Sequence, residues 1–218
     1  MRTVQQKYWD AFAVLSLFDA ANKVRPIDGN LKIQKMGFLF EIKGQERGIK
    51  AGHYTFFRYN NGPFSKWLAN DVADLKRMGF ISGDSNKITR RGSFLLEFVR
   101  LNAQISGDAK EAVEIANQVG AEFGKYTGPA LTTYVYRMTV PVIDYNNETK
   151  KVRDIEHCVD IIDPVKDKNL REIQLFTEDL IQDLKAEFSI PARKLRKDNP
   201  EIEAESRRRL EAALHRMA

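Results

Sequence analysis

The sequence predicts a mainly α protein with one small β-hairpin. It is an α+β fold in which a winged helix-turn-helix core is followed by a helical C-terminal half. Three observations carry this. Apolar residues recur at helical spacing along most of the 218 residues. The stretch Arg58 to Ile81, RYNNGPFSKWLANDVADLKRMGFI, is a polar turn, a cap and an amphipathic run that stops at Gly79. The piece FISGDSNKIT then places a Gly-Asp-Ser-Asn turn between two β-prone segments, which is a hairpin signal.

Residues 5–21 carry Tyr8, Phe12, Leu15 and Phe18 at helical spacing and form a first helix. VRPIDGN breaks it through Pro26 and Gly29, and Asp28 or Asn30 can cap the next helix, LKIQKMGFLFEIK. That helix buries Ile33, Met36 and Phe40, and GQERGIKAG is a loop. HYTFFRYN (53–60) is rich in aromatics and reads as a strand or extended segment. Pro63 sets the turn that follows. Ser65 sits where an N-cap hydroxyl can accept an orphan backbone N–H, and Phe64 can fold over the first turn. Gly79 suits the left-handed residue that ends such a helix. Thr89 can cap the next helix, RRGSFLLEFVRLN.

Residues 109–128 place Val113, Ala116, Val119 and Phe123 on one helical side, and Gly128-Pro129 opens ALTTYVYRMTV. Segment 141–153 reads as polar loop. DIEHCVDIIDP ends at Pro164, and 170–188 is an amphipathic helix with Ile173, Phe176, Leu180, Ile181 and Leu184. The expected organisation is a winged helix-turn-helix domain over 1–104 and a helical extension over 105–188. A basic linker and tail helix complete it over 189–218.

The composition, 43% hydrophobic and 30% charged, is that of a globular chain long enough to bury a core. A single cysteine excludes an intrachain disulfide. Asp10, Asp19 and Gln6 interrupt the apolar N-terminus, so neither a signal peptide nor a membrane span is expected, and the protein is expected in the cytoplasm. The net charge of +5 is unevenly spread. Residues 1–100 carry 17 Lys and Arg against 9 Asp and Glu, whereas residues 101–188 carry 10 against 16. A basic first half beside an acidic middle points to a polyanion on one side.

On a helical wheel Phe64, Leu68, Val72, Leu75 and Met78 fall on one side of the helix that follows Ser65. Lys66, Asn70, Ala73 and Arg77 line the other. Small residues let a helix sit deep in a groove, Asn can pair with adenine, and Arg or Lys with guanine or phosphate. Lys87, Arg90 and Arg91 belong to the hairpin, where a wing can clamp backbone phosphate. These seven residues are the expected DNA-binding set. Asp74 at the border of the face counts against it. A palindromic DNA site would call for a homodimer. The alternative is a protein-interaction module, an antitoxin or adaptor whose acidic half meets a basic partner without touching DNA.

Ile33-Gln34-Lys35, then Gly62-Pro63-Phe64-Ser65, then Leu75 to Ile81, then Thr89 to Gly92 together resemble the SocA-like antitoxin (Panacea) domain and its YwgA-like winged-helix relatives. LTTYVYRM and VRDIEHCVDIIDP resemble the helical half that follows, so the resemblance covers most of 5–165. It implies a small prokaryotic or phage-borne protein of a toxin–antitoxin or defence module. Such a protein acts by binding double-stranded DNA, a partner such as a toxin, or both, and not as an enzyme.

The search for chemistry reaches the same point. No HExxH, CxxC or Walker pattern is present. Asp154, Glu156, His157, Cys158, Asp160 and Asp163 gather in one segment, and His157 and Asp160 could share a helix face as two metal ligands. A complete metal site needs more. The segment is expected to be solvated, with Cys158 a small core residue, and no cofactor or metal is expected.

Overall fold

The computed structural model describes residues 1–103, 107–173 and 176–190, together with 204, 208 and 212. The tail helix expected over 201–218 and the basic linker beyond Ile190 therefore lie outside the described residues, those three positions apart.

Helix α1 (Val4–Asn22) begins with a reciprocal cap: the Thr3 hydroxyl accepts the Gln6 N–H and the Gln6 side chain accepts the Thr3 N–H. Every residue from Trp9 to Phe18 is buried, so α1 is surrounded rather than buried on one face. Helix α5 (Gly107–Phe123) lies against it, and the approach uses Gly120. A Cβ there would overlap the Ala20 side chain. Helix α2 (Asn30–Glu46) starts after Gly29, whose φ of 136° only glycine adopts readily, and it has no side-chain cap. The expected caps are corrected accordingly: Asp28 instead faces Arg25 at 3.6 Å.

The aromatic segment forms β1 (Phe56–Tyr59), which turns through Gly62 into β2 (Gly62–Phe64). A third strand, β5 (Asp160–Ile162), pairs antiparallel with the other side of β1. Helix α3 (Lys66–Arg77) follows β2 directly, with Ser65 accepting the Leu68 N–H as its cap. The hairpin after α3 is short. One bridge joins Ile81 and Ile88, and the Ser82 and Thr89 N–H groups donate to Lys87 and Phe80 carbonyls. Helix α4 (Arg90–Ala103) begins where the Thr89 hydroxyl accepts the Gly92 N–H.

The second half is less helical than expected. After α6 (Gly128–Arg137), segment 139–151 is a β-hairpin, β3 (Thr139–Val142) with β4 (Glu148–Lys151). Val140 and Val142 face the core while Thr139 and Pro141 face out, the period of two that a strand requires. Asn146 and Asn147 close the turn at φ 52° and 64°, which asparagine tolerates. DIEHCVDIIDP is a turn and a strand, not a helix. Helix α7 (Glu178–Phe188) is shorter than expected because Thr177 caps it by accepting the Leu180 N–H. Upstream, Arg171 exchanges backbone bonds with Gly48 and Lys50, which holds that part of the chain extended.

The molecule is thus a mostly helical α+β fold, and its buried side chains make one cluster from Trp9 to Leu184. Among the described residues no helix is long and apolar enough to cross a membrane. Gly120→Ala tests the tightest helix crossing. The added methyl has no space, so the variant should lose about 1–3 kcal/mol of stability in chemical denaturation, the usual cost of overpacking.

Candidate nucleic-acid interface

Helix α3 is held on three sides. Leu68, Val72 and Leu75 enter the core. At its start, α2 grips the chain that leads into it. The Gln34 amide accepts the Ser65 N–H at 2.8 Å and donates to the Ser65 carbonyl at 3.0 Å. The neighbouring Lys35 donates to the Pro63 carbonyl at 2.9 Å. Lys35 is 2% exposed and has no carboxylate partner among the described residues, and burial, aided by the Arg58 charge, lowers its ammonium to about 8. The third hold is ionic. Arg2 reaches Asp71 of α3 through two bonds of 2.7 and 3.1 Å and lies over Trp67 at 4.8 Å.

Arg2 belongs to a buried network. Its guanidinium also donates to Asp10 at 2.7 Å. Asp10, fully buried on α1, accepts the His53 backbone N–H at 3.0 Å and faces its imidazole Nδ1 at 2.9 Å. The other ring nitrogen faces Glu172 at 3.0 Å, and Lys50 and Gln6 hold that carboxylate from outside. The Tyr54 hydroxyl donates to Asp71 at 2.8 Å, and Glu41 accepts the Tyr54 and Gly52 N–H groups. Burial alone would lower the His53 imidazole, but the Asp10 charge and the bonds to Asp10 and Glu172 outweigh it and hold it at about 9. The bond from His53 draws the Glu172 carboxyl down to about 2. Burial pushes the Glu41 carboxyl up to about 8, against the backbone bond from Tyr54.

The fourth side of α3 is open. Lys66, Asn70, Ala73 and Arg77 are exposed, and at 100° per residue they span an arc of roughly 60°. Asp74 is exposed beside them and holds Arg77 at 2.8 Å. Lys87 and Arg90 are exposed at the hairpin and the start of α4.

Arg91 has a different role from the expected phosphate contact. It turns inward and donates to the carbonyls of Met78 at 2.6 Å, Glu187 at 2.7 Å and Ile190 at 2.9 Å. It also pairs with the Glu187 carboxylate at 3.3 Å and stacks on Phe80 at 4.4 Å. It ties the base of the hairpin to the end of α7. The bland spacing of the sequence conceals this, because Arg90 and Arg91 are adjacent and chemically alike.

Cys158 is exposed, which corrects the buried expectation. It stands at φ 67° in the turn before β5, with its sulfur 3.0 Å from His157 Nδ1. His157 Nε2 faces Asn60 Oδ1 at 3.1 Å. His157 and Asp160 do not share a helix, and no cluster of three metal-ligating side chains occurs among the described residues. Sequence reasoning missed Arg2, Asp10, His53, Asp71 and Glu172 as a set. The one local signal was an aspartate, Asp10, inside an otherwise apolar run.

No protein-family model, no curated protein and no solved structure matches this chain.

Two outcomes are expected. The native protein should react with one equivalent of a thiol reagent such as Ellman's reagent without denaturant, because Cys158 is accessible. A buried thiol would give none until the protein unfolds. The second concerns His53. Unfolded histidine titrates near 6.5, whereas folded His53 holds its proton to about 9. Its stabilisation is complete below about pH 6.5 and is lost as pH rises through 9. The stability difference between wild type and His53→Gln should therefore shrink by roughly 3 kcal/mol from the acid to the alkaline end of that window. Urea melts across the window measure it, and a difference independent of pH contradicts the assignment.

Proposed function

We propose that the protein is a DNA-binding regulator of antitoxin type, built on a winged helix-turn-helix. In this proposal α3 enters the major groove and the hairpin region 80–91 lies on the backbone. The observation that carries it is the open fourth side of α3. A helix whose other sides are fixed by the core, by Gln34 and by Arg2 presents Lys66, Asn70, Ala73 and Arg77 outward as a rigid set. Rigid presentation is what base reading needs, because each bidentate contact is geometric. Lys87 and Arg90 supply the phosphate contacts, and Arg91 supports the hairpin from inside.

The residues behind the antitoxin resemblance support this use of α3. Gln34 and Lys35 hold Ser65 and Pro63, Thr89 donates to the Gly79 carbonyl at 2.6 Å, and Gly92 packs where a Cβ would overlap the Phe80 carbonyl. Each member of the motif positions an end of α3 or of its hairpin.

A second reading rests on Asp74. The Asp74–Arg77 pair leaves part of the face charge-compensated, as suits a partner protein such as a toxin.

A salt titration separates the two. With a random-sequence duplex followed by fluorescence anisotropy, the wild type should lose affinity linearly in log salt. Lys66→Ala with Lys87→Ala should lower the slope by about 0.9 per lost phosphate contact. Arg91→Ala should instead lower the melting temperature and leave the slope of the folded protein unchanged. Absence of salt-dependent duplex binding, or an unchanged slope in the double variant, removes the DNA reading and leaves the protein-partner one.

A further inference from the structure

We propose that Cys158, His157 and Asn60 form a reactive thiol site, at which a small organic disulfide exchanges with Cys158 and leaves it as a mixed disulfide. The three side chains come from two segments, Asn60 from the turn between β1 and β2, His157 and Cys158 from the turn before β5. The Cys158 sulfur lies 3.0 Å from His157 Nδ1, and His157 Nε2 lies 3.1 Å from Asn60 Oδ1. An amide oxygen only accepts, so the ring proton sits on Nε2 and the Nδ1 lone pair faces the thiol. A nucleophile, a base within hydrogen-bond reach and a third group that orients the base together ready a cysteine for attack.

The fold holds each member in place. The Cys158 N–H donates to the Arg58 carbonyl at 2.8 Å, and the Arg58 N–H donates to the Val159 carbonyl at 2.8 Å, so the turn is fastened to β1. The Tyr136 hydroxyl donates to the Asn60 carbonyl at 3.1 Å. The His157 ring lies 5.3 Å from that of Tyr59. Cys158 stands at a φ of 67°, which a residue with a side chain adopts at a cost, and its thiol is exposed. Tyr59 is 43% exposed and continues through Phe64 to Phe57, with ring centroids 5.6 and 5.7 Å apart. That aromatic row beside His157 offers a floor for the organic part of a disulfide.

The local donors select the reaction. Attack on an acyl carbon develops an oxyanion that needs N–H donors. The Cys158 N–H is spent on Arg58, and the Val159 N–H on the Glu156 carbonyl at 3.4 Å. Displacement at a disulfide sulfur develops its charge on sulfur and needs no such donors. The Cys158 thiol passes its proton to His157 Nδ1, and Sγ forms a bond to the nearer sulfur of R–S–S–R. The S–S bond of the reagent breaks, its electron pair leaves on the second sulfur, and His157 returns the proton to that sulfur. The products are Cys158–S–S–R and R–SH. Cys158 is the only cysteine of the chain, so no second thiol of the protein resolves the adduct. It persists until an outside thiol removes it, which makes this a site of reversible modification. The inference is independent of duplex binding.

The test follows adduct formation on the full chain by intact mass, with 2-hydroxyethyl disulfide as an uncharged probe. The reference is the capped tetrapeptide of residues 156–159, which keeps His157 next to Cys158 and lacks the fold. At about pH 6.5, where an ordinary thiol is almost wholly protonated, the native chain should react roughly tenfold faster than the peptide, a modest share of what a placed base can give. His157→Gln should bring the chain down to the peptide's rate or below. Its difference from wild type should close by about pH 9.5, where thiols ionise without a base. Asn60→Ala keeps the base and removes the group that orients it, so its rate at the lower pH should fall between the two. Dithiothreitol should restore the mass of the unmodified chain. A native chain no faster than the peptide overturns the proposal. So does a His157→Gln variant that melts like wild type and reacts as fast at the lower pH, or one whose deficit is the same at both pH values.

Discussion

A carboxylate with no access to water must be answered by its neighbours, and Asp10 sets that demand at the centre of this molecule. It is fully buried on α1, the helix around which the others pack. An isolated buried charge is costly enough that folding must bring it partners. Those partners come from two separate regions, Arg2 from the N-terminus and His53 from the segment before β1, and Arg2 in turn bridges to Asp71 of α3. Glu172 extends the chain of contacts to the stretch that precedes α7. A loop of 47–55 that would otherwise cross the surface is instead sewn to the core by Trp9, Asp10 and Glu41, each of which bonds its backbone. Apolar burial supplies the driving force for collapse, but it is nearly indifferent to register. The Asp10 network is not, and through Arg2 it adds a directional hold on α3.

The same economy governs the entry to α3. A helix start leaves N–H groups without intrahelical partners. Ser65 answers one of them with its hydroxyl. Because Ser65 is itself buried, its own backbone N–H and carbonyl need partners too, and one Gln34 side chain provides both. Lys35, one residue on, takes the Pro63 carbonyl. Proline offers no N–H, so the turn presents only an acceptor there, and a donor-only side chain is the matching group. Two consecutive polar residues on a buried helix therefore specify the turn, the cap and the starting point of α3 together.

Local chemistry made much of this legible in advance. The Ser65 cap, the Leu68–Val72–Leu75 stripe and the left-handed Gly79, at φ 77°, each depend on residues within a turn or two of one another. The network around Asp10 does not. His53 lies 43 positions from Asp10, and Glu172 lies 119 from His53, so spacing carries no trace of either pair. Hairpin β3–β4 was hidden because Pro141 interrupts its first strand and charged residues fill its second. An edge strand tolerates both, since its outer face needs neither apolar side chains nor a donor at every position. Cys158 misled for a related reason. Its neighbours Val159, Ile161 and Ile162 suggest a buried run, yet the left-handed turn at Cys158 itself rotates the side chain out of that run.

Asp74 and Arg91 show how the proposed interface distributes charge. Of the basic residues near α3, Arg91 is withdrawn into the protein to support the hairpin, and Arg77 is engaged by Asp74 at the surface. The Asp74–Arg77 pair is more than half exposed at both ends, so holding it together contributes little. Arg77 can leave Asp74 for a phosphate or a guanine at small cost, but the uncovered carboxylate then stands beside the polyanion. If α3 reads DNA as proposed, tight binding would require a groove that offers Asp74 a donor, such as the exocyclic amine of cytosine, since the same carboxylate would repel elsewhere. In the proposed DNA reading, an acidic residue on a basic face weakens binding to unsuitable sequences more than to a suitable one. In that reading Lys66 and Lys87, both exposed, would supply the sequence-independent part.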